Sequence, residues 1–221
     1  MLFQVRPISL REQVVEQIRA AIIEGRLKPN DHITEVTLTA QLGVSRTPVR
    51  EALILLEREG LVVATPNRGC FVRAFTEQDV DEIFSIRTAL ENFAGELIIR
   101  RLDTLDFGHL NSLIETQRYQ IEQGDLKQVR RVDMSFHQYL IEKSEHSMLI
   151  RSWNELVAQI AAVLQLRALA IPHYDEYEAM RDHCAIIEAY EQRDFPRLAE
   201  VNREINTRVA FECKRGIART S

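Results

Sequence analysis

From Thr76 onward, the chain is a succession of segments in which apolar residues recur at helical spacing, and only short breaks separate them. Helices joined by short connections pack side by side in alternating directions. We therefore expect an all-α antiparallel bundle in this part of the chain. Its helices are predicted at about residues 76–101, 104–123, 126–144, 147–170, 176–193 and 196–215.

The first 75 residues have a different pattern, with three shorter helical segments followed by two β-branched runs. Ser9, Thr34 and Ser45 precede these helices, and all three are residue types that favour helix N-caps. A β-hairpin is predicted where PNRG separates LVVAT from CFVRA. The change of pattern predicts two domains, residues 1–75 and 76–221.

Composition narrows the class of protein. The longest apolar stretch, Leu156–Leu166, is interrupted by two glutamines, so we expect no membrane span. The N-terminus lacks the layout of a secretory signal. The three cysteines, Cys70, Cys184 and Cys213, are widely spaced and predict neither a disulfide framework nor a zinc ribbon. These features predict a cytoplasmic protein with reduced thiols.

The net charge of −5 is unevenly distributed along the chain. Residues 1–75 contain ten Lys and Arg against eight Asp and Glu, a net charge of +2, and the remaining residues carry −7. A polyanion is attracted to the first domain more than to the second. We therefore expect any DNA contact in the first domain, and the acidic second domain argues against a non-specific DNA-packaging protein.

The segment LGVSRTPVREAL predicts a turn followed by the start of a helix. Gly43 permits a tight turn, and Pro48 falls in the first helical turn, where its missing N–H does no harm. Two helices joined by a glycine turn are typical of a helix-turn-helix, whose second helix enters the major groove of DNA. In the helix before the turn, we expect Val36, Leu38 and Leu42 to be buried.

The first turn of the third helix would present Ser45, Arg46, Thr47 and Arg50 to DNA. The two arginines are one turn apart on one face, where both reach guanine edges or phosphates. Their helix would be held from behind by buried Val49, Leu53 and Leu56. The alternative is that both arginines are ordinary solvated residues and that Arg50 merely pairs with Glu51 or another neighbour.

The tip of the hairpin resembles the wing of a winged helix. Asn67, Arg68 and Gly69 form this tip, and Arg68 would reach the minor groove or the DNA backbone.

A second group of polar side chains falls in the helical domain. Asp133 and His137 are one turn apart on one helix, and His183 lies on a later helix. A carboxylate and imidazoles from facing bundle helices can hold Zn²⁺, Mn²⁺ or Ni²⁺. The alternative is an Asp–His hydrogen bond beside a core histidine.

The segments VSRTPVREAL, LEREGLV and NRGCFV resemble the winged helix-turn-helix of the GntR family of bacterial transcription regulators. The helical remainder is similar to the FCD effector domain of the FadR-type branch, so the resemblance covers nearly the whole chain. It implies a mostly α protein, with three helices and a β-hairpin followed by an all-α antiparallel bundle. Some relatives place an arginine in the second helix, where this chain has Glu35–Val36–Thr37, which puts a phosphate contact there in doubt.

The resemblance also implies a function. A sequence-specific regulator of this kind is a homodimer that binds a palindromic double-stranded DNA operator and responds to a small effector in its helical domain; it is not an enzyme. The alternative is a metal-dependent helical-bundle enzyme with an N-terminal docking module. The sequence has no serine or cysteine framed by a base and no glycine-rich phosphate loop, which argues against this alternative.

FCD domains with a D-x-x-x-F-H pattern bind a divalent metal through that Asp, that His and two later histidines. Asp133, Phe136 and His137 match the pattern, and His183 matches the next ligand. The last expected histidine position falls at Ile205, which cannot ligate a metal.

Two outcomes stay open at this position. Either three ligands hold the metal and water or effector completes the shell, or the site has lost its metal and binds an organic ligand alone. Asn202 and Asn206 are the nearest polar neighbours of Ile205 and are candidate effector contacts.

Two arginines are further candidate effector contacts. Relatives have an arginine that faces the pocket at the position of Arg87, and a buried arginine needs a carboxylate partner. Glu91, one turn on, is the alternative partner within the helix. Arg167 lies on a strongly apolar helix. A bound metal would favour a small carboxylic acid such as a sugar acid or hydroxy acid, and its absence a larger apolar ligand.

Overall fold

The computed structural model describes residues 9–66, 68–101, 105–171 and 174–220. Contacts divide the chain into two compact units, Met1–Phe75 and Thr76–Ser221. None of the described helices is long and apolar enough to cross a membrane.

The first unit contains three helices and a small antiparallel sheet of order β1-β3-β2. The predicted hairpin of β2 and β3 is confirmed, but the prediction was incomplete because β1 also pairs with β3, with His32 opposite Phe71. A strand of two residues is too short for any alternation to be visible in the sequence. The elements are α1 (Leu10–Ile23), β1 (His32–Ile33), α2 (Glu35–Leu42), α3 (Arg46–Arg58), β2 (Val62–Thr65) and β3 (Gly69–Val72).

The helix starts of the first unit follow from local side-chain chemistry. Ser9 accepts a hydrogen bond from the backbone N–H of Glu12, whose carboxylate accepts one from the N–H of Ser9, and this capping box begins α1. Thr34 caps α2 by accepting a hydrogen bond from the backbone N–H of Thr37. Gly43 then adopts a φ of +65°, a conformation that disfavours side chains, and turns the chain from α2 into α3. Ser45 precedes α3 without making a side-chain cap bond.

The inner face of α3 anchors it to the first unit. Val49 and Leu56 are fully buried and Leu53 is nearly so, as predicted. The prediction for α2 was partly wrong: Leu38 is buried, but Val36 is 63% exposed. A helix of eight residues turns few side chains toward the core, and position 36 faces away from it.

The second unit is built of six described helices, in agreement with the predicted all-α architecture. Their ends differ from the predicted ones by a few residues, and the last helix continues to Thr220 instead of ending near residue 215. They are α4 (Glu77–Arg100), α5 (Phe107–Gln123), α6 (Leu126–Lys143), α7 (Ser147–Ala170), α8 (Tyr177–Glu191) and α9 (Phe195–Thr220).

Helix α9 packs closely on both α4 and α7, and two glycines permit this approach. A Cβ at Gly95 would lie 2.5 Å from Cδ2 of Leu198, and one at Gly216 would lie 2.1 Å from the carbonyl oxygen of Leu166. A larger residue at Gly216 would push α7 and α9 apart, because the obstacle is backbone, whereas one at Gly95 would require the Leu198 side chain to shift. This packing brings Ile205 of α9 to the interior of the unit, next to polar residues of α4, α6 and α8.

Candidate functional sites

The outer face of α3 is polar and exposed. Ser45, Arg46, Thr47 and Arg50 all lie on the surface, opposite the buried face of the same helix. The positive end of the helix dipole is on this side, which favours anionic groups. The four side chains that the sequence predicts to contact DNA are therefore all exposed to solvent.

Arg50 forms an ion pair with Glu35 of α2, which was not predicted to be a functional residue. Its Nε and Nη2 donate to the two carboxylate oxygens of Glu35, at 2.9 Å and 3.1 Å. The hydrogen bond lowers the pKa of Glu35. Arg50 therefore pairs with a neighbour from α2 and not with Glu51. Because the two residues are fifteen positions apart, helical spacing could not have shown the contact.

The hairpin tip presents Arg68 at the surface, and Asn67 lies outside the described residues. Gly69 has a φ of +96°, and a Cβ there would lie 2.5 Å from Nε2 of His32. The His32 ring also stacks on Phe71 at 4.8 Å between ring centroids. A glycine at position 69 therefore lets β1 pack against the base of the wing.

In the second unit, the three predicted metal-ligating residues lie together. Asp133 and His137 of α6 and His183 of α8 each offer one ligand atom, and these atoms lie within 4.8 Å of one another. Both histidines are buried. Phe136 stacks on the His183 ring at 4.0 Å between centroids and so fixes its plane.

Glu91 of α4 holds the ring of His137. Its Oε1 lies 2.9 Å from Nδ1 of His137 and 2.9 Å from Nε of Arg87. Its Oε2 accepts a hydrogen bond of 2.7 Å from Nδ2 of Asn206. Burial alone would raise the pKa of Glu91, but the positive charge of Arg87 and the contact with His137 outweigh it and lower the pKa to about 2.

The protonation of His137 follows from its surroundings. Burial and the charge of Arg87 lower its pKa, and the carboxylate of Glu91 opposes them only in part. The ring is therefore neutral at pH 7. Its Nδ1–H donates to Glu91, and the lone pair of Nε2 is left for a ligand.

His183 is held in a similar way from α5. Its Nδ1 lies 3.0 Å from Oε1 of Gln117, and its Nε2 lies 3.4 Å from Oδ1 of Asp133. Burial would raise the pKa of Asp133, but its hydrogen bond with His183 and the positive charge of Arg87 lower it well below its usual range. Asp133 is therefore a carboxylate at neutral pH.

A small cavity of about 20 Å³ adjoins the cluster, which is room for one water molecule. Charged and apolar side chains line it together, among them Arg87, Asp133, His137, Arg167, His183 and Ile205. Larger open grooves of about 290 and 470 Å³ occur on the first unit. The small cavity is the stronger candidate for a binding site because buried charged side chains converge on it.

The predicted effector contacts divide into two groups. Arg87 and Arg167 both line the cavity; the Arg167 guanidinium lies over the Tyr174 ring, 4.3 Å from its centroid. Asn206 instead donates to Glu91, and Asn202 donates to Asn92 at 2.9 Å. Asn202 lines a separate cavity of about 10 Å³, and neither asparagine lines the cavity of the two arginines.

The donor set fits a divalent metal. Outer hydrogen bonds hold both Nδ1 atoms, and Nε2 of His183 lies beside a carboxylate oxygen. Two imidazoles and one carboxylate suit Zn²⁺, Mn²⁺ and Ni²⁺. Ile205 lines the same cavity and offers no ligand atom, so this cluster of described residues offers three possible protein ligands.

Comparisons with known proteins identify both halves of the chain. The family model described as bacterial regulatory proteins, gntR family, matches residues 10–72, and the FCD domain model matches residues 82–207. A probable D-xylose utilization operon transcriptional repressor of Paenarthrobacter nicotinovorans is 32% identical over 87% of this chain and 83% of its own. The gluconate operon transcriptional repressor of Bacillus subtilis is 28% identical over 82% of this chain and 76% of its own.

Solved structures agree with these relationships. Escherichia coli McbR/YncC has a TM-score of 0.77 at 26% identity and covers 91% of this chain and 95% of its own. A GntR regulator from Rhodococcus has the same TM-score at 22% identity, covers 92% of this chain and 96% of its own, and shows the same fold.

Proposed function

Because the chain belongs to the GntR family of bacterial regulatory proteins and carries an FCD domain, it is a transcriptional regulator, and we propose how its parts divide the work. Residues 1–75 bind a palindromic operator, and residues 76–221 bind a small effector and form the dimer. Binding of the effector changes operator affinity because the two states of the helical domain bind it differently. Operator binding places the protein in the bacterial cytoplasm.

One observation carries the DNA-binding part of this proposal: the polar face of α3 stands exposed over a fully buried apolar face. Arg46 and Arg50 contact base edges or phosphates in the major groove, with Ser45 and Thr47 on the adjacent backbone. Arg68 of the wing reaches the flanking minor groove or backbone, together with its neighbours Asn67 and Gly69.

In the helical domain, Asp133, His137 and His183 hold one Zn²⁺, Mn²⁺ or Ni²⁺. When bound, the metal supplies a positive charge that attracts the carboxylate oxygens of an effector. Arg87 is already neutralised by Glu91, which leaves Arg167 as the guanidinium less fully paired, with Glu212 at 3.9 Å. A small carboxylate therefore suits this cavity.

The small size of the cavity couples effector binding to the packing of the surrounding helices. Because only about 20 Å³ is free, any ligand larger than water displaces side chains of the helices that line the cavity. This displacement reaches Asn206 through the hydrogen bond that it donates to Glu91, and it reaches Asn202 through its hydrogen bond to Asn92. A local contact is thereby converted into a change of helix packing.

The dimer is attributed to an exposed stripe on α4. Ile86 is 53% exposed and Phe93 is 43% exposed, and they share a face with Glu82 and Arg100 at its two ends. If a second copy packs its α4 antiparallel, Glu82 lies opposite Arg100 of the partner subunit. A two-fold axis of this kind matches a palindromic operator.

Two experiments test the proposal. A binding duplex is selected from a random library with the full-length protein, and mobility shifts are then measured with added carboxylates. The expected result is specific binding that at least one carboxylate changes. The alternative function, a metal-dependent enzyme, would be supported if the metal-loaded protein consumed such a carboxylate without any selected duplex emerging.

A further inference from the structure

Gln117 of α5 has a role that its contribution to folding does not explain. The side chain is 0% exposed, and its Oε1 lies 3.0 Å from Nδ1 of His183. Its Nε2 is buried and has no hydrogen-bond partner among the described residues. An unpaired buried amide destabilises a fold, and a leucine would fill similar volume without this penalty.

The contact with Gln117 bears on which ring nitrogen of His183 carries the proton. A neutral imidazole carries one proton, on Nδ1 or on Nε2. If Nδ1–H donates to Gln117, Nε2 is a bare lone pair 3.4 Å from a carboxylate oxygen of Asp133. Two lone pairs at this distance repel each other unless a cation lies between them. His137 has the equivalent arrangement, with Glu91 accepting from its Nδ1.

We propose that Gln117 is a positioning residue for the metal, because it holds His183 in the Nδ1–H tautomer and so directs Nε2 into the coordination shell. The inference rests on the proposed metal site. Partners that accept from the second ring nitrogen fix the orientation of histidine ligands in metal sites. Here α5 supplies that partner for one histidine and α4 for the other.

An amide has one property that a carboxylate lacks. If its amide group rotates by 180°, Gln117 can donate a hydrogen bond from its own Nε2 to Nδ1 of His183. This suits the other tautomer of His183, in which the ring Nε2–H donates to Asp133. Glutamine thus serves both the metal-bound and the metal-free ring, whereas Glu91 serves only the tautomer that leaves Nε2 of His137 bare.

The test compares two substitutions in the full chain. Zn²⁺ affinity is measured by competition with a chelator, and the visible spectrum of bound Co²⁺ reports its geometry. Gln117→Leu, which has no acceptor, should weaken Zn²⁺ binding by about 10- to 100-fold. Gln117→Glu, which keeps the acceptor, should bind Zn²⁺ at least as tightly as the wild type. Gln123→Leu at the exposed end of α5 is the control and should change nothing.

A purely structural role gives a different result. The melting temperature of metal-free Gln117→Leu measures this role by itself, because the substitution removes the unpaired Nε2 but also leaves Nδ1 of His183 without its hydrogen-bond partner. A lower melting temperature with unchanged Zn²⁺ affinity and an unchanged Co²⁺ spectrum overturns the proposal and leaves the metal site standing. A wild type that binds no divalent metal overturns both.

A direct readout covers the case in which Gln117→Leu fails to fold. In the zinc-loaded wild type, the nitrogen shifts of His183 should show a protonated Nδ1 and a metal-bound Nε2. The reverse assignment overturns the proposal without any variant.

Discussion

Arg50 of α3 donates two hydrogen bonds to Glu35 of α2, so that one carboxylate holds the guanidinium in a fork on the proposed DNA-binding face. The side chains are 66% and 30% exposed, and an ion pair this open contributes little to stability. The pair instead restricts the directions in which the Arg50 side chain can point. If α3 enters the major groove as proposed, the pair would also place a negative charge beside the DNA.

Glu35→Gln should therefore reduce the discrimination between operator and scrambled DNA. Loss of the carboxylate frees Arg50 and removes a charge that repels phosphate, so we expect scrambled DNA to bind a few-fold more tightly. Fluorescence anisotropy on both duplexes at several salt concentrations measures the ratio. The exposed Glu51→Gln on α3 is the control for charge alone. An equal change in both variants would mean that Glu35 acts only through its charge.

Ile205→His should tighten metal binding. The position lines the cavity next to Asp133 and the two histidines, and an imidazole there would supply a fourth protein ligand. We expect Zn²⁺ affinity to rise by about tenfold or more, and carboxylate-induced stabilisation to fall because an open coordination position is lost. Calorimetry and thermal shift measure the two effects. Asp133→Asn should abolish the response to Zn²⁺; a full response in that variant contradicts the assigned site.

The proposed dimer contact on α4 can be tested by exchanging the charges of Glu82 and Arg100. Glu82→Arg alone and Arg100→Glu alone should each weaken the dimer, because each places like charges opposite one another. The combined variant should recover the wild-type association in sedimentation equilibrium. If the combined variant is as weak as the sum of the two single changes, the antiparallel pairing of α4 is wrong.

The cysteines should differ in reactivity. Burial chiefly raises the pKa of Cys213 to about 12, so this thiol stays protonated and shielded. Burial and the charge of Glu57 also raise the pKa of Cys70, whereas Cys184 is exposed. With a disulfide reagent at pH 8, we expect Cys184 to react fast, so that Cys184→Ser removes the fast phase. We expect Cys213 to react only after unfolding. Fast reaction of Cys213 would contradict its position in the core.

Much of the fold could be predicted because its signals are local. Thr76 begins α4 through a capping box with Asp79, and Gly124 ends α5 with a φ of +70°. Such signals depend on residues within one turn of each other, which a sequence displays directly. Residue types and spacing offered the grouping of Asp133 with His183 as only one of two alternatives, and the resemblance to FCD domains favoured it.

What could not be predicted depends on contacts between distant segments. Gln117 and His183 are 66 positions apart, and the glutamine lies on α5 without any motif around it. The contact of Glu35 with Arg50 joins two helices whose angle is set by packing, and periodicity does not encode it. Val36 shows the same limit, since its apolar character predicted burial at a position that faces away from the core.

Binding of the selected operator by Arg46→Ala and Arg50→Ala tests the central claim most directly. Each arginine that contacts a guanine edge should cost about 10- to 100-fold in affinity, and the double variant should bind operator and scrambled DNA alike. Arg58→Ala, an exposed arginine in the last turn of α3, is the matched control and should bind as the wild type does. Operator binding by the double variant at wild-type affinity would contradict the assignment of α3 as the DNA-reading helix.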